Sequence, residues 1–369
     1  MPGVFEPPED TEQPDPTAPP GTIVVELRDA DDKPVPGVEI TLGVLINSIA
    51  KGDSRKHLQA NSDARGQAAF GGLETAGNIA YRVSVGYQGG AFAATPFQLG
   101  QAGSMRVVLH VYPVTHDIQQ ALIVGEVTLA AEVREDRIQI EQVLGLYNLG
   151  RVAWQPDDVR MKLPEGFTAF SAQASMSDQG VDDVGGTARL RGTFPPGHHT
   201  LEFRWQVPWS GDKDVDFDVG MPPHIAIVRV MMPATGEVKL AVRGFAAADI
   251  RHDAQGQSFL VTERRMRPDD PKLTVLSVGL HDLPTPGPGK YVASVISGLG
   301  VSVGLALAFS RRTRRGRRVD SRAGRASILE ELADLERARS AGDVGPKTYE
   351  RARRELIDAL ARTLAKANA

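Results

Sequence analysis

Residues 200–207 read TLEFRWQV. Leu201, Phe203, Trp205 and Val207 fall on one side of an extended chain, and Glu202, Arg204 and Gln206 fall on the other. This alternation is the signature of a strand with one buried face. The turn FPPGHH precedes it at 194–199, where two prolines and a glycine interrupt regular structure. Outward from this stretch, further candidate strands lie at 138–149, 158–163, 225–232, 237–242, 258–261 and 273–280, with turn residues between them. Many short strands at close spacing predict continued β-sandwich structure across 119–283. A boundary is placed near 209–212, so that 113–211 forms one sandwich and 212–283 a β-rich domain or its continuation.

The N-terminal third carries the same signal. Ile23, Val25 and Leu27 alternate with more polar residues, the turn at 29–34 follows, and Val38, Ile40 and Leu42 alternate again. Residues 62–73 read SDARGQAAFGGL, where Asp63 and Gly66 supply a tight turn before Phe70. Tyr81, Val83 and Val85 make another strand, and 105–111 closes the set. The entry at Gly21, the run Lys33-Pro34-Val35-Pro36-Gly37-Val38, Ser62-Asp63 with Gly66, Phe70 and Leu73, and Tyr81 with Val83 and Val85 carry a resemblance. Together they resemble the carboxypeptidase regulatory-like domain over 21–112. That resemblance implies a prealbumin-like β-sandwich serving as a spacer or binding module, and no peptidase chemistry, since fold alone carries none. The segment 43–61 is expected to be either a binding loop or an irregular insertion.

Composition agrees with β-structure and restricts the chemistry. The 369 residues include 38 Gly and 25 Pro, a turn-rich usage, and no Cys. Disulfides, cysteine zinc sites and thiol catalysis are therefore excluded. The net charge of −4 conceals a split: residues 1–289 hold 25 basic and 37 acidic side chains, whereas 311–369 hold 16 basic and 9 acidic. An acidic N-terminal part argues against nucleic acid as a partner. Residues 1–20, with seven prolines and five acids, read as a disordered leader. The leader has neither the basic nor the apolar region of a signal peptide.

Residues 291–310, YVASVISGLGVSVGLALAFS, contain no charge. A helix of that length spans about 30 Å, the thickness of a bilayer's hydrocarbon core. Arg311, Arg312, Arg314, Arg315, Arg317 and Arg318 follow at once and are expected to hold that end in the cytoplasm. The sequence thus predicts a single-pass protein of the cell membrane, with 1–289 extracytoplasmic (periplasmic in a Gram-negative cell). Export then calls for a signal upstream of Met1; the alternative is a tail anchor with a cytoplasmic N-terminal part. Residues 284–290, with three prolines and two glycines, read as a stalk, and 311–326 as a basic juxtamembrane segment. Gly300 and Gly304 match the small-residue spacing of packed membrane helices, although glycine is also simply frequent there. The GxSxG match at Gly300 and Gly304 is not a nucleophile elbow, since it lies within the span.

Residues 327–365 predict a helical hairpin. Ser327 and Glu330 fit a capping box. Leu332 and Leu335 share a face with Ile328, residues 341–346 break the helix, and Tyr349, Leu356, Leu360 and Leu364 recur at helical spacing. The pattern is similar to the short C-terminal hairpins called SHOCT, which implies assembly. The alternative is a solvated hairpin without a partner.

No phosphate loop, dinucleotide fingerprint, HExxH or paired-carboxylate motif is visible, so no cofactor and no enzyme activity are expected. Asp212, Asp214, Asp216 and Asp218 alternate with Val215, Phe217 and Val219. The series reads as one solvated strand face; its other reading, a calcium site, lacks the glycine turn and ligand count. The fold expected is mainly β: tandem sandwiches, one transmembrane helix and a cytoplasmic α-hairpin. The function expected is an anchored envelope protein with binding or spacer modules outside and an assembly or docking hairpin inside. Its partners would be the bilayer, a second copy through span and hairpin, and an extracytoplasmic protein or glycan. A transmembrane sensor is the alternative, and a hydrolase with a dispersed site ranks third.

Overall fold

The computed structural model describes residues 5–46, 54–75, 79–100, 103–172, 178–267 and 269–284. The expected span at 291–310, with Gly300 and Gly304, the arginine block and the hairpin leucines, lies outside the described residues. Among the described residues every regular element is a strand, and no helix is long and apolar enough to cross a membrane.

Eight strands build the first sandwich: β1 (Thr11–Pro14), β2 (Thr22–Arg28), β3 (Glu39–Ile46), β4 (Ser54–Asn61), β5 (Gln67–Phe70), β6 (Ile79–Tyr87), β7 (Gly90–Ala93) and β8 (Ser104–His110). One sheet runs β1-β8-β2-β5 and the other β4-β3-β6-β7. Their inner faces carry Ile23, Val25, Leu27, Ile40, Leu42, Tyr81, Val83, Val107 and Leu109, all buried in one core. These are the alternating positions of the sequence, because a half-buried strand turns every second side chain inward.

The turn residues act as the pattern predicts. Ser62 Oγ donates to the Val35 carbonyl at 2.8 Å and accepts from the Val38 amide at 3.0 Å. Asp63 caps its own turn, accepting from the amides of Arg65 and Gln67 at 2.8 and 2.9 Å. Gly66 has a φ of 72°, and a Cβ there would meet the Leu27 carbonyl, so only glycine fits.

Two expectations change. Residues 54–61 of the anticipated loop are strand β4, paired antiparallel with β3 from Ile46↔Ser54 to Glu39↔Asn61. Its polar sequence SRKHLQAN hid it, since an edge strand exposed on one side needs little apolar content. The leader is not wholly disordered either. β1 adds to the edge of β8. Glu12 accepts from the amide and hydroxyl of Thr95 at 3.1 and 2.7 Å, and the Asp15 carboxylate, 5% exposed, pairs with Arg106 at 2.6 Å. Acids that compositional reasoning assigns to solvent are here consumed by specific partners.

The second part contains β9 (Val114–Thr115), β10 (Ile123–Val133), β11 (Arg137–Asn148), β12 (Ala153–Trp154), β13 (Arg160–Lys162), β14 (Thr168–Ala172), β15 (Gly180–Val184) and β16 (Thr187–Arg191). It continues through β17 (Gly197–Pro208), β18 (Val215–Gly220), β19 (Ile225–Pro233), β20 (Lys239–Val242), β21 (Asp249–His252), β22 (Ser258–Arg265) and β23 (Val275–His281). A seven-stranded sheet, β14-β17-β11-β10-β19-β22-β21, backs two three-stranded sheets, β13-β16-β15 and β18-β23-β20. β17, the strand read first from the sequence, buries Leu201, Phe203 and Trp205, while Arg204 is exposed.

The boundary considered near 209–212 does not divide the core. β10 pairs with β11 on one side and, in parallel, with β19 on the other. Trp205 of β17 meets Phe217 of β18 edge-on, with centroids 5.8 Å apart. One buried cluster contains residues from Ala121 to Leu283, so 212–283 continues the same sandwich. Asn148 is fully engaged inside it, donating to the carbonyls of Val152 and Phe194 at 2.8 and 2.9 Å and accepting from the Gly150 amide at 3.0 Å.

The two sandwiches touch. The Ala91 amide donates to Thr193 Oγ1 at 3.0 Å, and Ala153 of β12 is buried in the first core. Arg151 pairs with Asp31 and lies 4.4 Å above the Phe5 ring.

Candidate functional site

Strands β18, β23 and β20 form a sheet whose inner face closes the second core through Phe217, Val219, Leu240, Val242, Leu276, Val278 and Leu280. The alternate residues therefore face outward. Register aligns them in rows: Asp218 opposite Ser277, and Asp216 opposite Gly279, which is opposite Ala241. Beyond them His281 is opposite Lys239. The Arg243 amide donates to the Ser277 carbonyl at 3.1 Å, which extends the first row to a guanidinium.

This face is the floor of a cleft of about 880 Å³, walled on one side by Lys162, Leu163, Pro164 and Glu165 at the exit of β13. The wall stands close because of Gly220. A Cβ there would come 2.3 Å from the Lys162 amide nitrogen, so glycine lets the end of β18 abut β13. Gly279 keeps the floor low. A Cβ on it would lie 2.6 Å from Asp216 Oδ1 and 2.7 Å from His281 Nε2, so both side chains lean over the space that glycine leaves. His281 Nδ1 lies 3.1 Å from Asp214 Oδ1, which orients the ring. Beside it the Lys239 ammonium meets Asp282 at 2.8 Å; that hydrogen bond raises the lysine pKa and lowers that of the aspartate.

The charges of the cleft floor divide by strand. Asp216 and Asp218 lie on β18, Arg243 follows β20, and the small residues Ser277 and Gly279 of β23 separate them. No ion pair joins Asp216, Asp218 or Arg243 to another described residue. Two strand spacings, roughly 10 Å, hold the two signs apart. The arrangement can bind polar groups of both signs.

Of the aspartates singled out in the sequence, Asp216 and Asp218 share this floor and Asp214 binds His281. Asp212 is drawn into a local turn, accepting from Ser210 Oγ at 2.7 Å. Asp212 and Asp214 are thus engaged away from the floor, which leaves Asp216 and Asp218 as its two carboxylates. Among the described residues no group of three His, Asp or Glu side chains could hold a metal. Sequence reasoning missed Lys162, Glu165, Arg243, Ser277, Gly279 and His281, because they reach the cleft from separate strands. The one local signal was Gly279, a glycine inside a strand pattern, which marks a close approach.

No family model matches the chain, and no curated protein matches it. Among solved structures, the major pilin SpaD of Corynebacterium diphtheriae is 12% identical, with 74% of this chain and 85% of that chain covered at a TM-score of 0.20. The major pilin SpaA of the same organism is 11% identical, covering 72% and 94% at 0.20. An M1 zinc metallopeptidase of Deinococcus radiodurans is 13% identical, covering 43% and 42% at 0.25. Scores of this size transfer neither fold nor activity; the sandwich architecture stands on the strand pairings above.

Proposed function

We propose that the chain is a single-pass, membrane-anchored envelope protein. Its first sandwich, resembling the carboxypeptidase regulatory-like domain, acts as a spacer, and its second binds a ligand in the cleft. The C-terminal hairpin, similar to SHOCT, assembles or docks in the cytoplasm. The observation that carries the binding role is the cleft of about 880 Å³ with charges of both signs on its margins, within the volume range of small-ligand sites. Anchoring rests on the uncharged run at 291–310 and the arginines that follow it.

The absence of cysteine makes the test clean, since any introduced thiol is the sole target. Lys272→Cys, at an exposed position, should react with a membrane-impermeant maleimide in spheroplasts. Asn368→Cys should react only after lysis. The reverse pattern refutes export, and recovery of the chain in the soluble fraction refutes anchoring.

A further inference from the structure

The cleft's ligand class can be read from its charges, an inference that rests on its being a binding site. We propose that it takes a short peptide with free termini, lying across β18, β23 and β20. Its ammonium sits at Asp216 and Asp218, and its carboxylate at Arg243.

Three observations converge on this. The signs are segregated, with carboxylates on one outer strand and the guanidinium beyond the other, and neither side is neutralised by a described neighbour. Ligands of one sign would leave one margin unmatched, whereas a zwitterion satisfies both. The spacing also fits: two strand separations are roughly 10 Å, and an extended tripeptide spans about 10 Å. Finally, the floor between the charges consists of Ser277, Gly279 and Ala241. A main chain can lie on such small residues, with Ser277 offering a hydroxyl to a peptide group. The overhanging Lys162 and Glu165 supply a second pair of opposite charges for the ligand's interior amides.

The same lining disfavours a sugar. The one aromatic residue of the cleft is Phe217, which is 7% exposed and turned inward against Trp205. No phenyl, phenol or indole ring of the cleft is therefore free for a pyranose to stack on.

The test is a titration of the full chain in detergent micelles, followed through the methyl resonances of Ala241 and Val275, which line the cleft. The probes are trialanine, N-acetyl-trialanine, trialanine amide and maltotriose. Trialanine should shift both methyls with a Kd of roughly millimolar size, as suits an exposed, few-atom ligand. Either blocked peptide should bind at least tenfold more weakly. Arg243→Gln should weaken trialanine tenfold while leaving trialanine amide unchanged. Asp216→Asn with Asp218→Asn should do the same to trialanine while leaving N-acetyl-trialanine unchanged. These side chains are exposed, so the variants should fold.

Equal binding of free and blocked peptides overturns the proposal. So does a maltotriose response with trialanine silent, although that outcome keeps the cleft as a binding site. Silence of all four probes removes the peptide assignment, and the maleimide pattern still decides anchoring separately.

Discussion

His110 shows how one side chain can fasten a segment. It is 3% exposed, with Nδ1 at 2.8 Å from Asp10 and Nε2 at 3.2 Å from Asp32. Burial alone would lower its pKa, but the two carboxylates outweigh burial and raise it. Asp32, which also binds Arg28, is lowered, first by the hydrogen bond from His110. Tyr112, beside Asp10, is pushed up by burial and that charge. The imidazolium thus stabilises the native state fully below the ordinary histidine value of about 6.5. That stability is lost as pH rises through the raised native value. The Asp32 contribution is present above the ordinary aspartate value and is lost as pH falls through its lowered native value. The protection factors of the β1 amides, with the intrinsic pH dependence of exchange divided out, should accordingly be highest in mildly acidic solution. His110→Phe should abolish the alkaline limb of that dependence; an unchanged profile would assign it to another group.

Gln142 is the opposite case. It is fully buried, and neither amide atom has a partner among the described residues. Desolvating an unpaired amide costs about 1–3 kcal/mol. Gln142→Met, close in shape, should therefore raise the urea midpoint without altering the slope. A loss of stability would mean that the amide is satisfied in solution.

At the scale of the element, β17 carries the second core. Trp205 is fully buried beside Phe217, so Trp205→Asp should unfold the region by placing an unpaired carboxylate there. Glu202→Lys, on the opposite side of the same strand, should change the unfolding free energy by no more than about 0.5 kcal/mol. Equal effects would show the two faces to be energetically alike. The three-stranded cleft sheet depends instead on what it lacks. Gly279→Val would drive a branched side chain into Asp216 and His281. It should disturb the methyl of Ala241 while leaving the core around Trp205 folded, as near-ultraviolet circular dichroism would report.

For the whole molecule, the central question is how many units fold. Phe203 and Leu280 lie on opposite sides of residue 212 in sequence but in one buried cluster. Phe203→Ala should cost about 3–5 kcal/mol and Leu280→Ala about 2–5 kcal/mol. Both should move the same thermal transition. If each displaced a different transition, the second sandwich would be two cooperative units. The proposed hairpin adds an assembly prediction. Leu356→Asp with Leu360→Asp should abolish crosslinking between full-length copies while leaving membrane insertion intact. Membrane tethering raises effective concentration, so even weak pairing would otherwise be seen. Persistent crosslinking would move the contact elsewhere.

The sequence by itself determined that the described chain is made of strands, and largely which residues face inward. Trp205, Ile23 and Tyr81 announce their burial through period-two alternation, because a strand's side chains choose faces locally. The turns at Ser62, Asp63 and Gly66 were legible for the same reason: each is set by bonds within a few residues. Tertiary structure alone decided the rest. Strand β4 and the leader strand β1 were hidden because their stability comes from an edge to which they add, not from their own apolar content. The continuity of the core across 212 followed from the pairing of β10 with β19, about a hundred positions apart in sequence. The cleft was hidden for the same physical reason. Asp216, Ser277 and Arg243 acquire a common purpose only when hydrogen-bond register places their strands side by side, and register between distant strands leaves no local trace in any one of them.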